Sequence, residues 1–342
     1  MSVTVVRASG TWWEIGSAYG EELRDGIQRS VAFYAAMAPR LGGTAAELHD
    51  RIRPYIEAAR VHASTRFAEL EGMAAGANIG LEDALLINCV EELTNIDACT
   101  TAAKGRFLVH AEMWYADQRE IGVLVARPDD GPAVAVASCV GFLTGVGANS
   151  AGFAQGVQSA FATDERVGVP RVMPSRDALC APDADAALAA ACAFERAGGY
   201  SYVVSTPGRH RVLETSAARA EVAGDGPVAV HTNHYISSLA ALDAQSREES
   251  ELRLAMAEAA LRDVSLESLL DCQDLLCRDG FRPCRPSDSA TIFGFACDVG
   301  SGAVCVSDGD PRDARWTYVQ VPEFSAVRPA SPSLEAGTRR GF

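Results

Sequence analysis

Residues 81–115 read LEDALLINCVEELTNIDACTTAAKGRFLVHAEMWY, and the fold turns on a change of pattern inside them. Up to Leu93 the apolar residues recur at helical spacing, as they do from Thr11 onward. From Cys99 they fall into short runs, CTTAA and RFLVHAEMW, bounded by turn residues. A helical segment therefore gives way to a sheet at Cys99. Most free cysteines are small buried hydrophobes, but this one of ten sits at the junction itself. If the Ala98–Cys99 bond were cut, the new α-amine, with a pKa of about 7.7–8, would lie beside the thiol and serve as its base.

Working outward, IGVLVARP, AVAVASCVGFLT and GFAQGVQSA continue the strands, and Ser175 to Ala197 returns to helix. SYVVSTPG, HRVLETSA, ARAEVA and VAVHTNHY form a second strand group, Ser246 to Cys277 is helical, and ATIFGFACDVGSGAVCVSDGDP with WTYVQV closes on strands. This order predicts an α+β protein of two sheets packed face to face with helices outside.

With 342 residues, 48% hydrophobic and 22% charged, the chain is globular. A formal charge of −15 argues against nucleic acid as a partner, because phosphate binding needs clustered Lys and Arg. The start MSVTVVRASGTWWEIG lacks a signal-peptide core, and no stretch has the ~18 apolar residues of a membrane span. A cytoplasmic protein without membrane contact is expected, and cysteines scattered from Cys89 to Cys305 fit reduced thiols there.

Other motifs are weaker. Ala148 to Gly152, ANSAG, approximates a G-x-S-x-G elbow around Ser150 but lacks the first glycine and a following helix, so a hairpin turn is the better reading. Gly145 and Gly147 lack the third glycine of a dinucleotide fingerprint. HTNHY places His231 and His234 around Asn233 without metal-ligand spacing, so neither a metal nor another cofactor is expected.

Taken in order, GTWWEIGSAYGEEL, ELEGMAAGANIGLEDALLINCVEEL, DACTT, VHAEMWYADQREIGVLVARPDDGPAVAV, GVGANSAGFAQGVQSA, HTNHYISS and SDSATIFGFACDVGSGAVCVSDGDP resemble successive blocks of the isopenicillin-N (acyl-CoA:6-aminopenicillanate) acyltransferase family of N-terminal-nucleophile (Ntn) hydrolases. The resemblance implies a four-layer αββα sandwich. It also implies self-cleavage between Ala98 and Cys99, with a helical leader, 1–98, released or kept as a small subunit, and a catalytic domain, 99–342. Cys99 would be the nucleophile and Asn233 the oxyanion donor, with Gln158, Trp114 and Asn149 at the oxyanion or substrate. In HAEMWYA, Trp114 matches the family tryptophan, so Tyr115 occupies the place of the aspartate that holds the amine; Asp117 and Glu112 are the alternative carboxylates.

The implied activity is acyl transfer that forms or cleaves an amide on a small metabolite of secondary metabolism. An acyl donor, acyl-CoA or another thioester among the candidates, and an amine acceptor would be its partners, alongside the chain's own cleaved segment and a possible second copy. A pure amidohydrolase, or a non-catalytic relative with a degraded site, are the alternatives.

Overall fold

The computed structural model describes residues 3–94, 99–284 and 289–324. Before Cys99 lie strand β1 (Thr4–Gly10) and helices α1 (Trp12–Glu22), α2 (Arg24–Met37), α3 (Ala45–His62), α4 (Ser64–Ala77) and α5 (Leu81–Asn88). Capping boxes start α1 at Thr11 with Glu14 and α3 at Thr44 with Glu47. Asn78, in the left-handed conformation, ends α4. A single 3-10 turn, Val90–Glu92, closes this part.

Strands β2 (Thr100–Lys104), β3 (Phe107–Tyr115), β4 (Ile121–Pro128), β5 (Val134–Cys139), β6 (Gly147–Asn149) and β7 (Phe153–Ala160) follow, then α6 (Val172–Leu179) and α7 (Ala184–Cys192). Strands β8 (Gly199–Thr206), β9 (Arg209–Thr215), β10 (Ala220–Gly226) and β11 (Val228–His231) precede α8 (Glu248–Arg262) and α9 (Leu269–Leu276). The last strands are β12 (Ser289–Asp298), β13 (Ala303–Ser307) and β14 (Trp316–Gln320).

Among the described residues the strands make two sheets, ordered β1-β4-β5-β6-β7-β8-β9-β10 and β11-β2-β3-β12-β13-β14. Strands β2 and β3 lie across β7 and β8, so the sheets face each other; α8 and α9 cover the second sheet, and α1, α6 and α7 pack on the first. This is the expected αββα sandwich. Alternation along β3 separates the layers. Phe107, Val109, Ala111 and Met113 meet Ala257, Leu261, Leu275 and Leu276 of the outer helices, while Leu108 and Trp114 join the core shared with the first sheet.

The segment 1–98 is not helical throughout. It opens on β1, which pairs in parallel with β4 from Thr4↔Gly122 to Gly10↔Pro128. Thr4–Gly10 is a short run whose partner lies far downstream, so local pattern does not reveal it. Helices α1 and α4 touch backbone to backbone. A Cβ on Gly16 or Gly20 would overlap the carbonyl oxygens of Glu69 or Met73, and one on Gly72 or Gly76 those of Trp13 or Ser17. No helix among the described residues is long and apolar enough to cross a membrane.

Candidate active site

Cys99 is the residue immediately before β2. The β2–β3 register pairs Thr100 with Ala111 and Thr101 with His110, which sets Cys99 opposite Glu112. Its Sγ donates to Glu112 Oε1 at 3.2 Å. Glu112 Oε2 lies 3.1 Å from His110 Nε2, and His110 Nδ1 lies 2.8 Å from Thr101 Oγ1. Gln158, on β7, donates its side-chain amide to the same Thr101 hydroxyl. Burial pushes the Cys99 thiol well above its usual range, and the Glu112 carboxylate adds to the effect. The thiol is therefore protonated at neutral pH and needs an acceptor to react, and Glu112 is the acceptor in contact.

The backbone of Cys99 is held from the other side. Its N–H donates to Asn233 Oδ1 at 2.9 Å, and Asn233 Nδ2 donates to Ser159 O at 3.0 Å. One amide hydrogen of Asn233 remains for a developing oxyanion. Arg253, fully buried on α8, donates from Nη1 to Cys99 O and from Nη2 to Asn233 Oδ1, both at 2.7 Å, while its Nε donates to Glu249 at 2.7 Å. Ser250, one turn earlier, accepts the Asn233 N–H at 2.8 Å. The histidines around Asn233 brace this corner: His231 pairs with buried Glu214 at 2.8 Å, and His234 meets Ser250 at 2.8 Å. Burial holds His234 neutral, with its pKa lowered to about 4.

A cavity of about 50 Å³ opens beside the thiol, lined by Cys99, Glu112 and Trp114 on one side and by Glu91, Ser159 and Tyr200 on the other. Glu91 comes from the segment before Cys99 and accepts hydrogen bonds from the Ser159 and Tyr200 hydroxyls. Burial is the largest influence on its carboxyl; although Arg171 and these donors oppose it, the pKa rises to about 7.

Of the three groups set against the family aspartate, Glu112 reaches the thiol. His110, Glu112 and Trp114 alternate onto one side of β3. Tyr115, one residue on, packs its ring 5.6 Å from that of Phe33. Asp117 lies exposed in the turn beyond β3. Trp114 lines the cavity and donates to Tyr34 of α2 at 2.7 Å. Asn149 does not reach the site: its amide holds the carbonyls of Leu179 and Ala181 and the N–H of Ala151, locking the turn around Ser150 to the end of α6. Gln158 stands opposite Ser201 in the β7–β8 ladder, with its side chain on Thr101. Ala98 lies outside the described residues.

Arg253, His110 and Glu91 are absent from the sequence expectations. Each carries a signal. Ser250, Arg253, Ala257 and Leu261 form the buried stripe of α8, an arginine where an apolar residue belongs. His110 and Glu112 have the two-residue spacing that puts both on one face of a strand. Glu91 is an acid within the last apolar run before Cys99.

A four-layer sandwich with a cysteine at the head of a central strand defines the class of Ntn hydrolase folds. Residues 93–303 match the model of the acyl-coenzyme A:6-aminopenicillanic acid acyl-transferase family, and the chain belongs to that family. Among solved structures it resembles penicillin V acylase from Agrobacterium tumefaciens, with 11% identity, 65% of this chain and 86% of that one covered, and a TM-score of 0.45. It also resembles a mutant of the conjugated bile acid hydrolase from Clostridium perfringens, with 10% identity, 68% and 100% covered, and a TM-score of 0.38. No curated protein sequence matches it.

Proposed function

We propose that the chain cleaves its own Ala98–Cys99 bond and that the freed Cys99 then transfers an acyl group from an amide or thioester donor to a small amine or to water. In the first step Glu112 takes the thiol proton and Sγ attacks the Ala98 carbonyl carbon. The C–N bond breaks as the Cys99 nitrogen gains a proton, leaving a thioester that water hydrolyses to a leader carboxylate and a free thiol. In turnover the new amine relays the proton, Asn233 faces the oxyanion, and Arg253 holds the Cys99 carbonyl.

The observation that supports this most is that both reacting atoms of Cys99 are held from opposite directions, the nitrogen by Asn233 and the sulfur by Glu112. Intact-mass measurement tests it. The wild-type protein is expected as two pieces, 1–98 and 99–342, and Cys99→Ala as one full-length chain. A wild-type chain that stays whole on prolonged incubation refutes self-cleavage. Turnover of an acyl amide with and without an added amine then separates transfer from hydrolysis.

A further inference from the structure

Cys99, His110 and Glu112 present a sulfur, an imidazole nitrogen and a carboxylate oxygen that all lie within 4.8 Å of one another. In a tetrahedral zinc site the bonds are about 2.0–2.3 Å, which places neighbouring donor atoms roughly 3–4 Å apart. Two contacts are already at that spacing, each through a different oxygen of Glu112: Sγ to Oε1 at 3.2 Å and Nε2 to Oε2 at 3.1 Å. We propose that this cluster binds one soft divalent cation of the Zn²⁺ type, and that the bound ion masks the Cys99 thiol.

Three features favour this ion over others. A thiolate and an imidazole select zinc-like metals over Mg²⁺ or Ca²⁺. A thiolate, a carboxylate and a neutral imidazole balance a divalent charge, as a buried site requires. Two of the three ligands, Cys99 and Glu112, line the cavity, which leaves a fourth position open to water.

The support around the ligands also fits. Thr101 Oγ1 serves either histidine tautomer. Its hydroxyl donates to Nδ1 when Nε2–H meets Glu112, and accepts from Nδ1–H when the Nε2 lone pair takes a metal. Binding converts the thiol to a thiolate and moves the imidazole proton to Nδ1, so one proton leaves to solvent and affinity rises with pH. No spacing motif announces the site, because its ligands come from the head of one strand and from its neighbour. Masking rests on Cys99 being the nucleophile; metal binding does not.

The test is titration of chelator-treated wild-type protein, as purified, with Co²⁺ alone, followed by absorption. One Co²⁺ per chain is expected, with a thiolate-to-cobalt charge-transfer band that Zn²⁺ abolishes by displacement. Cys99→Ala is expected to lose the band, and Thr101→Val, which leaves all three ligands, to bind about 10–100-fold more weakly. Circular dichroism melts identify any variant that fails to fold, and Cys99→Ser then replaces Cys99→Ala. Absence of the band in wild type, or its survival without Cys99, overturns the site. Co²⁺ binding without acyl transfer removes the functional reading and leaves the site standing, whereas acyl transfer undiminished at saturating Zn²⁺ overturns the masking.

Discussion

Glu112 and Asp117 stand five residues apart with opposite surroundings, one on the Cys99 thiol and the other exposed beyond the strand. A positioned proton acceptor contributes typically about 10²–10⁴ in rate. Glu112→Gln is accordingly expected to slow formation of the 1–98 piece by that factor in a mass time course, and Asp117→Asn to leave it unchanged; equal effects would refute the assignment. Removing an oxyanion donor costs about 10²–10³, so Asn233→Ala is expected to lower turnover of an acyl amide by that amount. At this scale Cys99 stood out because it lies where the pattern changes, at the head of a strand, whereas Asn233 came only with the family resemblance, since its own surroundings read as polar residues closing a strand. Glu112 was ambiguous because alignment on Trp114 points to Tyr115, whereas strand alternation carries the even-numbered side chains to the thiol. Arg253 went unread because helix periodicity shows which face is buried, not that a guanidinium on that face will reach a strand 154 residues away.

The elements before Cys99 make two contacts whose strength can be measured. The α1–α4 crossing depends on four glycines, and Gly72→Ala would drive a methyl into the Trp13 carbonyl. Overpacking of this kind costs about 1–3 kcal/mol, to be seen as a lower denaturant midpoint at unchanged slope; an unchanged midpoint would show that the helices can separate freely. The 3-10 turn carries Glu91, whose pKa rises from an ordinary 4.5 to about 7 in the folded chain. A carboxyl raised in this way stabilises the fold fully below about pH 4.5, and that contribution is lost as pH climbs through about 7. The amount at stake is on the order of 3 kcal/mol. Denaturation series at pH 5 and pH 8 are expected to show a smaller drop for Glu91→Gln than for wild type, and an equal drop would refute the raised value. The helices themselves were readable from spacing and caps, whereas β1 was not, since a strand is defined by its partner.

Seen whole, the sandwich was legible from the order of helical and alternating segments, because each layer is written in its own period. The embedding of the segment before Cys99 was not, because it depends on contacts across the chain. Residues before Cys99 such as Ile15, Ile27 and Leu70 share one core with Leu124, Val136 and Phe153. After cleavage the two pieces are therefore expected to elute together in gel filtration under native conditions and to part only in denaturant; separate elution in native buffer would refute a retained leader.

The parallel pairing of β1 with residues 122–128 also fixes a sequence of events. Strand β1 has no neighbour until β4, encoded beyond Cys99, is in place, and Asn233 and Arg253, which hold the Cys99 backbone, follow later still in the chain. If Cys99 cuts the chain as proposed, assembly precedes scission. On the proposed self-cleavage, segment 1–98 produced by itself would have β1 without its β4 partner, and the small piece would depend for its fold on having once been continuous with the large one.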